Sequence, residues 1–256
     1  MFMRYLDIIR KYEKCDSIDS LPDRFYIAYG DLYFNICNDK NALINNLESS
    51  PIITLHSDNT LISKIIRFFT RSSFNHTIGF FKDSNSNDIC KVESLPETGI
   101  TVSKDWSFGL KNIFKNDNIK AIMVPKNLDC MTLDIDKEID ELRLHGGLKY
   151  EHRLLSLFRL LLPISLRHVL KIESNRGYFC SELILSLLNK KNIGTPTPTL
   201  YTPGDFLPDK ISIKNKAYDY FKENFDIFLI FRIKGDVYFY KAYKRLLNPE
   251  LIIRQI

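Results

Sequence analysis

All five histidines of the chain (His56, His76, His145, His152 and His168) precede Cys180, which opens an apolar run, Leu183-Ile184-Leu185-Ser186-Leu187-Leu188, with helical character. A fold that pairs this thiol with an imidazole must draw the imidazole from an earlier element and bring a later helix start back onto it. A thiolate is stabilised at such a helix start by the backbone N–H groups and the macrodipole. The same N–H groups can hold a developing oxyanion, so one terminus supplies both nucleophile and electrostatic stabilisation. Glu182 falls in the first turn, where its charge favours the helix and opposes a thiolate. The plainer reading of any one cysteine is a small buried apolar residue, and Cys90, alternating within a strand, fits it.

Composition narrows the classes. With 45% hydrophobic and 12% aromatic residues, the 256-residue chain is expected to fold throughout. A net charge of +5, evenly spread, does not point to nucleic acid as a partner. Five cysteines form an odd set with no C-x-x-C pair, so neither a disulfide framework nor a zinc knuckle is expected, and a reducing compartment is. His145 and His152 are separated by Gly146-Gly147, and no other close His or Cys pair has metal-ligand spacing, so no metal is expected. No glycine-rich phosphate motif occurs among the 10 Gly, and no cofactor is implied. The N-terminus meets charge at once and builds no export signal. The longest apolar stretch, residues 154–170, contains Arg159, Arg167 and Pro163 and makes a poor membrane span.

Along the chain, residues 3–14 and 38–48 read as helical or irregular, around a Tyr-rich stretch at 25–29. A buried strand at 52–55 and a helix at 61–69, capped by Asn59 or Thr60, follow. A hairpin is expected from the runs 76–81 and 89–94, another apolar run at 119–124, and an acidic helix over 132–144 stopped by Gly146-Gly147. An apolar helix over 153–171 would kink at Pro163. The tail reads as a hairpin, 227–233 and 237–240, about a Gly235-Asp236 turn. The fold class is α+β, with a mainly antiparallel sheet packed against helices.

His76 opens a strand after the polar lead Ser72-Ser73-Phe74-Asn75, which places an imidazole at a strand end, where a general base is useful. Glu93 lies on the partner strand of the same hairpin. A carboxylate in an apolar strand must find a partner or shift its pKa, and beside His76 it would fix the tautomer and stabilise the imidazolium.

Three segments thus stand in one order: Phe74-Asn75-His76-Thr77-Ile78, then Val92-Glu93-Ser94 with Gly99-Ile100, then Gly177-Tyr178-Phe179-Cys180-Ser181-Glu182-Leu183. They resemble the circularly permuted branch of the NlpC-type papain-like thiol hydrolases, the YiiX-like group that includes poxvirus members. Gly147-Leu148-Lys149-Tyr150-Glu151 and Tyr201-Thr202-Pro203-Gly204-Asp205 are similar to two further segments of that family. The resemblance covers residues 51–208. It implies a papain-like fold with the nucleophile at a helix N-terminus, Cys180 as nucleophile, His76 as general base, Glu93 as orienting acid, and Tyr150 lining the substrate site.

The chain accordingly divides into an N-terminal extension (1–50), a permuted papain-like domain (51–210) and a C-terminal extension with a hairpin (211–256) packed on it. The function expected is a hydrolase or acyltransferase acting on an amide, ester or thioester of a peptide-, amino-acid- or acyl-bearing substrate. The competing readings are a catalytically silent binding or effector module on the same shell, and a protein that touches a membrane peripherally through the 154–170 helix.

Overall fold

In the computed structural model the described residues are 5–14, 21–26, 32–37, 51–70, 72–95, 98–104, 116–126, 132–146, 179–189, 196, 201–208 and 215–244. Tyr150, the 38–48 segment and the apolar 153–171 segment lie outside them. The described chain is α+β. Its strands are β1 (Arg24–Tyr26), β2 (Leu32–Ile36), β3 (Ile52–His56), β4 (His76–Asp83), β5 (Ile89–Leu95), β6 (Gly99–Ser103), β7 (Ile119–Pro125), β8 (Thr132–Leu133), β9 (Phe225–Ile233) and β10 (Asp236–Lys244). Its helices are α1 (Tyr5–Tyr12), α2 (Leu61–Thr70), α3 (Ile135–Gly146), α4 (Cys180–Asn189), α5 (Pro203–Phe206) and α6 (Lys216–Asn224).

The strands form one sheet in the order β1-β2-β10-β9-β7-β3-β4-β5-β6, antiparallel throughout, with β8 alone pairing in parallel, on β4. The strands from before residue 50 therefore pair with β10, and through β9, which pairs with β7, the sheet continues into the strands between. β9 lies directly against β7, near the sheet centre.

The runs Ile52-Ile53-Thr54-Leu55 and Ile227-Phe228-Leu229-Ile230-Phe231 lack polar alternation because both sheet faces are covered. Ile53, Leu55, Met123, Leu229 and Phe231 join the larger core with α1, α4 and α6, while Ile52, Ile122, Val124, Phe228 and Ile230 join a second cluster. α4 presents Leu183, Ile184, Leu187 and Leu188 to the larger core, all fully buried.

Several boundaries differ from the sequence expectation. Residues 132–133 pair with β4 instead of opening the acidic helix, which starts at Ile135 and runs into Gly146. The Asp83 side chain accepts the Ile135 N–H at 3.2 Å, and Asp134 caps the turn by accepting the Lys137 N–H at 3.1 Å. In the tail hairpin the turn residues are Lys234 (φ 50°) and Gly235 (φ 93°), and Asp236 already pairs with Ile233. Two successive left-handed residues match the right-handed strand twist, which fixes the turn one residue earlier. Phe25 and Tyr26 find their partner in β2, opposite Phe34 and Tyr33.

Candidate functional site: a thiol, an imidazole and a carboxylate

β3 ends and β4 begins with a histidine, and the register sets His56 directly opposite His76. Between Leu55 and His56 the pairing with β7 shifts, an irregularity of the kind that re-aims side chains at sheet ends. A buried polar knot holds these two strand ends together. Asn75 donates through Nδ2 to Asp58 Oδ2 (3.1 Å) and Ser63 Oγ (2.9 Å), and its backbone N–H donates to the His56 carbonyl (3.0 Å). Arg67, reaching back from α2, donates to Ser57 Oγ at 3.0 Å, to Asn75 Oδ1 at 3.2 Å and to the Asp58 carbonyl. Thr60 caps α2 by accepting the Ser63 N–H at 3.2 Å and donates to Asp58 Oδ1 at 2.9 Å. Burial alone would raise the Asp58 carboxyl, but hydrogen bonds from Ser63, Thr60 and Asn75 hold it down at about 2. The polar lead before His76 is thus a clamp on the backbone that presents the imidazole.

Glu93 comes from β5. Its Oε2 lies 3.4 Å from His76 Nε2, and its Oε1 pairs with Lys91, two residues away on the same face of the strand. Burial would raise the Glu93 carboxyl, and the partnerships with His76 and Lys91 outweigh it, so it is held below the ordinary carboxylate range.

Cys180 is the first residue of α4 and is buried. Glu182, also buried, accepts the Phe179 N–H at 3.1 Å, which is the reach-back half of a capping box. Its carboxylate is therefore spent on the helix start. Cys180 acts directly on His76 as the largest favourable influence on its charged form. Burial works against a charge on His76, but attraction to and hydrogen bonding with Cys180, then Glu93, raise its pKa to about 9. Cys90 is the contrast: packed in the larger apolar core, its thiol is pushed up to about 11 by burial. Cys180 belongs to neither apolar cluster.

His56 plays the opposite part to His76. It is buried, its ring centroid stands 5.8 Å from that of His76 with the planes at 71°, and its Nε2 lies 2.9 Å from Thr54 Oγ1. Burial above all, then the neighbouring His76 charge, lowers its pKa to about 3. It is a neutral ring against which an imidazolium is seated.

The segment after α4 ties that helix to the strand end that carries His76. Ser181 Oγ donates to the Tyr201 carbonyl at 2.6 Å, and Gly204 packs so closely on Ser72 that a Cβ there would stand 1.9 Å from Ser72 Oγ. Asp205 closes this turn by accepting from Thr202 N–H (2.7 Å) and Oγ1 (2.8 Å). Ser72 in turn accepts the Phe74 N–H at 2.9 Å, two residues before His76.

Three of the four site residues read from sequence, Cys180, His76 and Glu93, therefore converge, and Tyr150 lies outside the described residues. Lys91, His56, Thr54 and the Asp58–Arg67–Asn75 knot were not anticipated. The Lys91-x-Glu93 spacing was a usable signal for the first of these; the histidine pair depends on a register that spacing does not reveal. Among the described residues no helix is long and apolar enough to cross a membrane. No model of a known protein family matches the chain, and no curated protein matches it either.

Proposed function

We propose that this chain is a cysteine-dependent hydrolase or acyltransferase on a permuted papain-like fold of the NlpC type. The observation that carries the reading is that His76, far in sequence from both, meets Glu93 at 3.4 Å and is acted on directly by Cys180. His76 takes the thiol proton, and the Cys180 sulfur attacks the carbonyl carbon of an amide, ester or thioester. The first-turn N–H groups of α4 receive the developing oxyanion. As the carbonyl re-forms, the C–N, C–O or C–S bond breaks, the leaving group departs with the proton from His76, and an acyl-thioester remains on Cys180. Water or another acceptor, deprotonated by His76, then attacks that thioester and releases the thiol.

Exposure of the protein to simple p-nitrophenyl acyl esters, followed by intact-mass spectrometry after acid quench, tests this. An acyl adduct on Cys180 that is absent from Cys180→Ala and diminished in His76→Ala supports the reading. No adduct with wild-type protein across short and long acyl chains favours a silent binding module on the same fold.

A further inference from the structure

Glu93 has two oxygens and two partners: Oε2 faces His76 Nε2 at 3.4 Å, and Oε1 pairs with Lys91. Lys91 and Glu93 are next-but-one neighbours on β5, so the pleat keeps both on one face whatever the rest of the site does. Their side chains are 20% and 9% exposed, which places the pair at the wall of the site, away from open solvent. We infer that Lys91 is a positioning residue of the thiol site: by gripping Oε1 of Glu93 it turns Oε2 toward His76.

The reasoning is geometric. A carboxylate held through one oxygen only, by a 3.4 Å contact, is free to rotate about its last torsion and to lose that contact. A second, charge-assisted hold on the other oxygen fixes the rotation. A buried carboxylate beside an imidazole can also take the proton itself, which would leave His76 neutral and its partnership with the thiol weaker. A cation on the far oxygen opposes that protonation, and the lowered Glu93 pKa owes part of its shift to Lys91.

Among the described residues, the ionisable groups that act on the carboxylate are His76 from β4 and Lys91 from β5, and it acts in turn on His56 from β3. Its cross-strand partner on β6 is Thr101, which carries no charge. Lys91 is the one permanent cation in that set. This inference rests on the thiol-hydrolase reading for its importance, although the Lys91–Glu93 pairing does not.

The test uses Lys91→Met, Lys91→Gln and Lys91→Arg in the full chain. Carbon-13 NMR of side-chain carboxyls follows Glu93 ionisation, and iodoacetamide alkylation of Cys180 is followed against pH. In the Met and Gln variants the Glu93 titration and the acid limb of Cys180 alkylation both move to higher pH, by about one unit. Lys91→Arg restores both, which a role in folding alone would not produce. Unchanged Glu93 titration in folded Lys91→Met and Lys91→Gln proteins overturns the inference. If wild-type Cys180 is never more reactive than an ordinary thiol, the hydrolase reading fails, while the carboxyl titration still decides whether Lys91 holds Glu93 ionised.

Discussion

A Cβ on Gly79 would lie 2.6 Å from Ile184 Cδ1 and 2.3 Å from Phe81 Cε2, so only a glycine lets α4 rest directly on β4. Ile184 lies one turn along α4 from Cys180, and Gly79 three residues along β4 from His76. The depth of this contact thus bears on how closely α4 brings Cys180 to the β4 end that carries His76. Gly79→Ala is expected to cost about 1–3 kcal/mol, read by chemical denaturation, and to slow Cys180 alkylation as the helix is pushed away. Ile184→Val in the same background removes the facing methyl and should recover part of both losses.

Gly204 and Ser181 form the second fastening between α4 and the strand end that carries His76. Gly204→Ala meets Ser72 Oγ at 1.9 Å and Ser72 Cβ at 2.2 Å, a clash that no rotamer of Ser72 relieves. The expected outcome is a loss of roughly 1–3 kcal/mol on denaturation, together with a shifted His76 ring resonance. Ser72→Gly added to Gly204→Ala should restore packing while sacrificing the Ser72 hydroxyl as acceptor for Phe74. Ser181→Ala leaves room but deletes the bond to the Tyr201 carbonyl, and should cost about 1 kcal/mol.

The charged form of His76 is favoured by folding. Its contribution to stability is therefore complete below its unfolded pKa of 6.5 and is lost as pH rises through about 9. Thermal melts of wild type should decline across that window, and those of His76→Gln should not show this component. Removing the thiol partner with Cys180→Ala takes away the largest favourable influence on the imidazolium, so the His76 NMR titration should move down, toward or below 6.5.

His56 behaves in reverse, because folding buries it neutral. Its contribution is present above 6.5 and is lost as pH falls toward about 3. Acid denaturation followed by circular dichroism should begin well above the carboxylate range. His56→Gln, which retains a polar group for Thr54, should delay that onset; an onset unchanged by the variant would mean His56 is not the group responsible.

The thiol helix and the His76–Glu93 hairpin were legible in the sequence because their signals are local: Cys180 immediately precedes a run of Leu and Ile, and His76 and Glu93 sit in β-prone runs joined by an Asn- and Ser-rich turn. Thr60 was legible as a cap for the same reason. What escaped depends on contacts between segments far apart in the chain. The 132–133 pair reads as the start of an amphipathic helix until β4 is there to bind it, and Asp83, about fifty residues earlier, helps decide where that helix begins. Arg67 escaped notice because nothing nearby in sequence announces Asn75 and Ser57 as its acceptors. β2 carries too mixed a pattern, Leu32-Tyr33-Phe34-Asn35-Ile36, to stand out without β10 beside it.

The most direct measurement is the alkylation rate of Cys180 by iodoacetamide at about pH 6, resolved from the other cysteines by peptide mass spectrometry, in wild type, Glu93→Gln and His76→Ala. The account requires Cys180 to react faster than the more exposed Cys37 despite its burial, and to slow by roughly tenfold or more when His76 is removed. A Cys180 that reacts no faster than Cys37, and at the same rate with or without His76, would contradict it.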